Sequence, residues 1–295
     1  EKKYLSNEVH LYSNDISKSS LQDILKDENF DVIINSAASV GVEYVYNNPI
    51  STSDNNLSIT KNVYDYISNR KENDKEYNPL VIFFSSSEVY GNSETSDPSL
   101  NLYNVFPNTS RGIYAITKLL EENYYNLLYF EHEIPNVIIL RLFNIVGPTQ
   151  SNDFVIKKLF SRISNLEEVY VSVNSYRRFC YISFLTESLI NMIKTYSTGE
   201  VIYGTINFGS LREDNYISIK DLAYKIKKYC HDNLDICSRK INFNISDKED
   251  ILKRNFDPSL NINCTANVLE AIEDSRIYDL SIDEIIDKCY LGVVS

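Results

Sequence analysis

The sequence predicts an α/β protein in which a doubly wound parallel sheet carries helices on both faces, followed by a smaller C-terminal lobe. Three observations predict it. Residues 31–35 (DVIIN), 80–84 (LVIFF) and 137–142 (VIILRL) are continuous apolar runs, the pattern of strands covered on both faces. Helical stretches separate the later runs, and strand, helix, strand, helix in succession calls for crossover connections and so for parallel strands. After Gly147-Pro148 the alternation loosens, which marks the start of a second unit. At 295 residues the chain has ample material for such a core.

Taken in order, a short strand is expected at 9–12, ending at Ser13-Asn14-Asp15, and the buried strand 31–35 follows. A helix over 56–68 leads to the strand at 80–84, and a strong helix over 110–129 leads to the strand at 137–142. Beyond Gly147-Pro148 come a helix at 154–163, a strand at 168–173, a helix at 185–195, a strand at 201–208 able to rejoin the sheet, and a helix at 221–229. The expected division is 1–147 plus 183–209 for the sheet domain and 148–182 plus 210–295 for the lobe. In this architecture ligands lie in the crevice at the carboxyl ends of the strands.

Composition excludes several function classes. The formal net charge of −12 disfavours a nucleic-acid partner, although a phosphate-bearing small ligand needs only a few local arginines. No apolar run reaches bilayer-spanning length and no secretory signal opens the chain. Cys180, Cys230, Cys237, Cys264 and Cys289 are an odd, scattered set without a C-x-x-C pair, which reads as reduced thiols in a cytoplasmic protein. His10, His132 and His231 are too dispersed for a metal site. The chain opens at Glu1 without Met, as a trimmed product or a fragment would.

The chemistry centres on Tyr114 and Lys118, four positions apart on the expected helix and therefore on one face. A tyrosine hydroxyl with its ordinary pKa near 10 is a poor base, and a nearby ammonium lowers that value. Such a pair can remove a proton from a substrate hydroxyl while hydride leaves the adjoining carbon. Alone the spacing is weak, since the chain holds 23 tyrosines and many lysines. It gains weight from Ser85-Ser86-Ser87-Glu88-Val89-Tyr90-Gly91 at the end of a buried strand. There Ser86 points into the crevice and can hydrogen-bond the same substrate hydroxyl.

The ordered set DVIINSAA (31–38), Val40-Gly41-Val42, Asn48-Pro49, Asn56, SSSEVYG (85–91), RGIYAITK (111–118), Arg141-Leu142-Phe143-Asn144 and Gly147-Pro148 resembles the extended short-chain dehydrogenase/reductase family. These are the NAD-dependent nucleotide-sugar epimerases and dehydratases. The likeness continues at RRFCYI (177–182) and, weakly, at Arg254-Asn255-Phe256-Asp257. It implies a Rossmann-like NAD-binding domain and a nucleotide-sugar-binding lobe. By the same resemblance Tyr114 is the catalytic base, Lys118 holds the nicotinamide ribose, and Ser86 is the hydroxyl partner. Asp15 matches the acid at the adenine, Ala37 and Ala38 the small residues along which NAD runs, and Asn56 a further cofactor contact. Ser87 and Asn144 match positions that hold the sugar nucleotide, and Arg177 and Arg254 the arginines that clamp its diphosphate. A homodimer through paired helices, one of them 110–129, is a further implication.

Glu88, expected among the catalytic residues by the same resemblance, also refines the subclass. Dehydratases of this family carry an Asp-Glu pair after the hydroxyl residue, whereas here the first of the two is Ser87. A group to protonate a departing hydroxyl is missing, so dehydration is disfavoured. The resemblance favours a UDP-sugar 4-epimerase, with a UDP-glucuronate decarboxylase-like enzyme as the alternative. A non-catalytic sugar-nucleotide-binding derivative is the third reading, because the family's Gly-rich pyrophosphate turn is not seen. There is no glycine before Gly41, and the segment ending at Asp15 matches the family's third strand. The sheet is therefore expected to lack its first strands.

Overall fold

The computed structural model describes residues 9–26, 28–91, 110–172, 175–234, 243–246 and 262–294. The chain runs α1 (Leu21–Leu25), β1 (Val32–Asn35), α2 (Val42–Asn47), α3 (Pro49–Asn73), β2 (Leu80–Ser86), α4 (Ser110–Phe130), β3 (Val137–Leu142) and β4 (Asn144–Val146). It continues through α5 (Val155–Ser164), β5 (Val169–Ser172), β6 (Tyr176–Tyr181), α6 (Ile182–Ser197), β7 (Gly204–Phe208), β8 (Tyr216–Ser218) and α7 (Ile219–Leu234). The last elements are β9 (Phe243–Ser246), β10 (Ile262–Cys264), α8 (Ala266–Glu273) and α9 (Ile282–Val294).

The main sheet has the order β1-β2-β3-β7-β10. β1, β2, β3 and β7 are parallel, and β10 runs antiparallel to β7 at the far edge. Side chains alternate across a strand, so each apolar run serves two cores. Val81, Phe83, Val137 and Ile139 face Tyr66 and Ile67 of α3 and Tyr125 and Leu128 of α4. Leu80, Ile82, Ile138 and Leu140 face Phe184 and Met192 of α6 and Ile272 of α8. Each such side chain contributes about 1.5–3 kcal/mol by leaving water, which is why these strands read as apolar at every position.

Two elements start at other residues than expected. Helix α3 begins at Pro49, well before residue 56, because proline fixes φ near its helical value and lacks only an N–H that the first turn would leave unbonded anyway. The strand expected at 201–208 begins at Gly204.

The strand expected at 9–12 does not form: residues 9–15 have no regular structure. A strand needs a neighbour to complete its ladder, and among the described residues β1 pairs with β2 alone.

The lobe is built from the sheet β4-β6-β8, the parallel pair β5-β9, and α5, α7 and α9. Phe160 and Ile163 of α5, Ile226 of α7 and Ile285 of α9 share its core. The chain then returns to the large sheet through β10, and α8 packs with α6 in that core. No described helix is long and apolar enough to cross a membrane.

Candidate active site

The carboxyl end of β2 brings Ser86 to the start of α4. β2 runs into a short 3-10 turn, Ser87–Tyr90, and the Ser86 hydroxyl caps it by accepting from the Glu88 N–H at 3.2 Å. The same side chain is hydrogen-bonded to the Tyr114 hydroxyl. Ser86 and Tyr114 therefore meet as the spacing predicts, and Lys118 lies one turn further along α4.

Lys118 is paired with a second group on its own helix. Its ammonium is buried and stands 3.1 Å from Glu121 Oε2, 3.4 Å from the Phe84 carbonyl and 4.8 Å from the Phe83 ring centroid. Burial and the negative charge of Glu121 push the Tyr114 hydroxyl well above the ordinary tyrosine value, with the Ser86 hydrogen bond acting against them. Burial likewise raises the Glu121 carboxyl, opposed by Lys118 and by the Thr60 hydroxyl. Glu121 was absent from the expected site residues, yet its signal was present: a carboxylate three positions after Lys118 shares its helical face.

Glu88 is held by Arg111 Nη2 at 2.5 Å, a contact that ties the 3-10 turn to the first turn of α4. Ser87 is buried beside it. Asn144 on β4 donates from Nδ2 to the Arg178 carbonyl at 3.1 Å. Arg177 on β6 donates to the Tyr176 carbonyl at 2.7 Å, and both Asn144 and Arg177 lie on strands of the lobe's three-stranded sheet. Its neighbour Arg178 is buried and donates to the carbonyls of Ser210 and Arg212 at 3.0 and 2.7 Å. Arg254 and Cys237 lie outside the described residues.

A pocket of ≈ 490 Å³ opens beyond the carboxyl end of β1, lined in part by Asn14, Asp15, Ser17, Ala37, Ala38 and Asn55. Asn35 shapes its floor: Oδ1 accepts from the Ala37 N–H at 3.1 Å while Nδ2 donates to the Tyr125 hydroxyl at 2.6 Å. Asn56 is fully buried and clamps the next turn, accepting from the Ser39 N–H at 2.7 Å and donating to the Ser39 carbonyl at 3.3 Å. It thus shapes the loop wall from behind. Asp15 is exposed, and Lys18 and Ser17 hold its carboxyl down to about 2.

These residues fit the adenosine half of a dinucleotide. Ala37 and Ala38 leave room where bulk would fill the pocket, and Asp15 offers an ionised acceptor to ribose or adenine donors. No glycine precedes Gly41, so the residues present supply no Gly-rich cradle for a pyrophosphate.

The sequence model of the family described as GDP-mannose 4,6 dehydratase matches residues 1–259. Protein CapI of Staphylococcus aureus is 29% identical over 177 residues, 59% of this chain and 50% of that protein. The dTDP-D-glucose 4,6-dehydratase of Dictyostelium discoideum is 26% identical over 222 residues, 72% of this chain and 48% of that protein. The chain thus spans about half the length of these curated relatives. Among solved structures, the UDP-glucuronic acid 4-epimerase from Bacillus cereus, in complex with UDP-glucuronic acid and NAD, superposes with a TM-score of 0.71. Identity there is 20%, with 95% of this chain and 80% of that one covered, a likeness of fold. The family match over residues 1–259, on a parallel sheet that brings Ser86 and Tyr114 together, shows that the chain belongs to the GDP-mannose 4,6 dehydratase family.

Proposed function

We propose that the chain takes part in NAD-dependent modification of a nucleotide sugar, through transient oxidation at C4 of a UDP-sugar, with 4-epimerisation as the outcome. The observation that carries this reading is the hydrogen bond between Ser86 and Tyr114 at the crevice end of β2, with Lys118 one turn away. NAD, when bound, would supply the hydride acceptor. The chain's own residues do the rest. Ser86 orients the sugar hydroxyl, Tyr114 takes its proton, and Lys118 offers positive charge to the phenolate and to the cofactor's ribose. Asp15, Ala37, Ala38 and Asn56 form or shape the adenosine pocket. Asn144, Arg177, Arg254 and Ser87 are assigned to the sugar nucleotide, Arg177 and Arg254 as forks for its diphosphate.

Epimerisation is preferred to dehydration because Ser87 stands where a proton donor to a leaving hydroxyl would be needed, and Glu88 is engaged by Arg111 at 2.5 Å. A second reading, a sugar-nucleotide-binding derivative without turnover, is favoured by Glu121, whose charge makes Tyr114 a weaker acid. A cytoplasmic homodimer is part of the proposal. Ile116, Leu120, Leu127 and Phe130 of α4 are exposed at helical spacing, Phe130 by 68%, and would meet a second copy.

Turnover of a panel of UDP-sugars with added NAD tests the reading, with Tyr114→Phe as the variant. The expected loss is about 10²–10⁴-fold, the scale of a lost general base. An active protein whose rate survives Tyr114→Phe unchanged would refute the role of Tyr114. Sugar-nucleotide binding without turnover would select the second reading.

A further inference from the structure

Glu121 has no part in the chemistry proposed above, yet it is fully buried on the face of α4 that carries Tyr114 and Lys118. Oε1 accepts from Thr60 Oγ1 of α3 at 2.8 Å. Oε2 lies 3.1 Å from Lys118 Nζ, its ion-pair partner. A buried carboxylate of this kind persists as an anion only while its cation stays close.

Among the described residues that task falls to Lys118. On α4 itself the neighbours are Glu122, Tyr114 and Tyr125, whose charges or potential charges are all negative. α3 gives the Thr60 hydroxyl, and β2 gives the Phe83 ring and Phe84 carbonyl, both contacts of Lys118. β3 gives Arg141, which is bonded to Glu122 at 2.7 Å, and β1 gives Asn35, bonded to Tyr125 at 2.6 Å.

We propose that Glu121 is a positioning residue that gates the acid–base pair: as a carboxylate it neutralises Lys118 and keeps Tyr114 a neutral phenol. Protonation of Glu121, or displacement of its contact with Lys118, releases the ammonium's field to Tyr114. The inference rests on the reading of Tyr114 as the proton-transfer group. Burial and Glu121 raise Tyr114, while burial raises Glu121. As pH falls through the raised Glu121 midpoint the anion disappears, and the proton on Tyr114 becomes easier to remove.

NMR of the full chain with isotope-labelled tyrosine rings tests this without requiring turnover. The Tyr114 resonance is identified by its loss in Tyr114→Phe. Glu121→Gln keeps an acceptor for Thr60 and removes only the charge. It should bring the onset of Tyr114 titration down by about one to two pH units, the size of one close charge. Lys118→Met alone, which leaves the Glu121 charge uncompensated at the alkaline pH where Tyr114 titrates, should instead move the onset up. An onset unchanged in Glu121→Gln, or lowered in Lys118→Met, would overturn the proposal. If the shifts appear while Tyr114→Phe leaves the turnover of an active protein unchanged, the gate stands and the catalytic reading falls.

Discussion

Arg141 and Glu122 are joined across the interface of β3 and α4 by a two-pronged ion pair, Nε to Oε1 at 2.9 Å and Nη2 to Oε2 at 2.7 Å. Both side chains are nearly closed to water. Ser85 Oγ donates to Glu122 Oε1 at 2.5 Å, Arg141 Nη1 donates to the Tyr90 hydroxyl at 3.0 Å, and that hydroxyl donates to Asn207 at 2.6 Å. The network fixes α4, and with it Tyr114 and Lys118, against the strand that carries Ser86.

Glu122→Gln should therefore cost about 3–5 kcal/mol, because it leaves a buried guanidinium without its anion. Urea unfolding measures it. The double change Arg141→Met with Glu122→Leu should cost much less, since neither charge is then left alone. A loss in the double variant equal to that in Glu122→Gln would count against the ion pair as the cause.

Ser86→Ala removes the hydrogen bond that opposes the upward shift of Tyr114. The Tyr114 midpoint should rise by about 0.5–1 pH unit, the worth of one hydrogen bond. The same ring titration reads it, and a fall would contradict the assigned contact.

Asn56→Ala unties both backbone groups of Ser39. A stability loss of about 1–3 kcal/mol is expected from the buried groups left unpaired. Calorimetric titration with NAD or an adenosine fragment should show weaker binding. Full affinity in a folded variant would separate the pocket wall from the cofactor.

Asp15 should stay ionised down to about 2, since Lys18 and Ser17 lower its carboxyl. The sign follows from that lowering: the turn it makes with Ser17 and Lys18 is intact above the unfolded value of about 3.9 and is lost as pH falls through about 2. Lys18→Met should move the Asp15 NMR midpoint back toward the unfolded value, and an unmoved midpoint would assign the effect to Ser17.

Features governed by local periodicity are legible along the chain. The apolar runs at β2 and β3 marked a parallel sheet, because a strand covered on both faces has no polar side, whereas β1, expected to be covered likewise, leaves Ile34 exposed. Tyr114 and Lys118 were placed on one face by helical spacing alone. Tertiary structure decided the rest. The segment at 9–12 looked like a strand but has no ladder partner, and pairing is a property of two segments. Arg141 and Glu122 are joined only because β3 lies under α4. Above all, Lys118 and Glu121 would be a weak, solvated pair on an open helix. Packed under α3 and against Phe83, at 2% and 0% exposure, they become the charges that govern Tyr114. Spacing showed which groups are neighbours, and burial decided which of their interactions dominates.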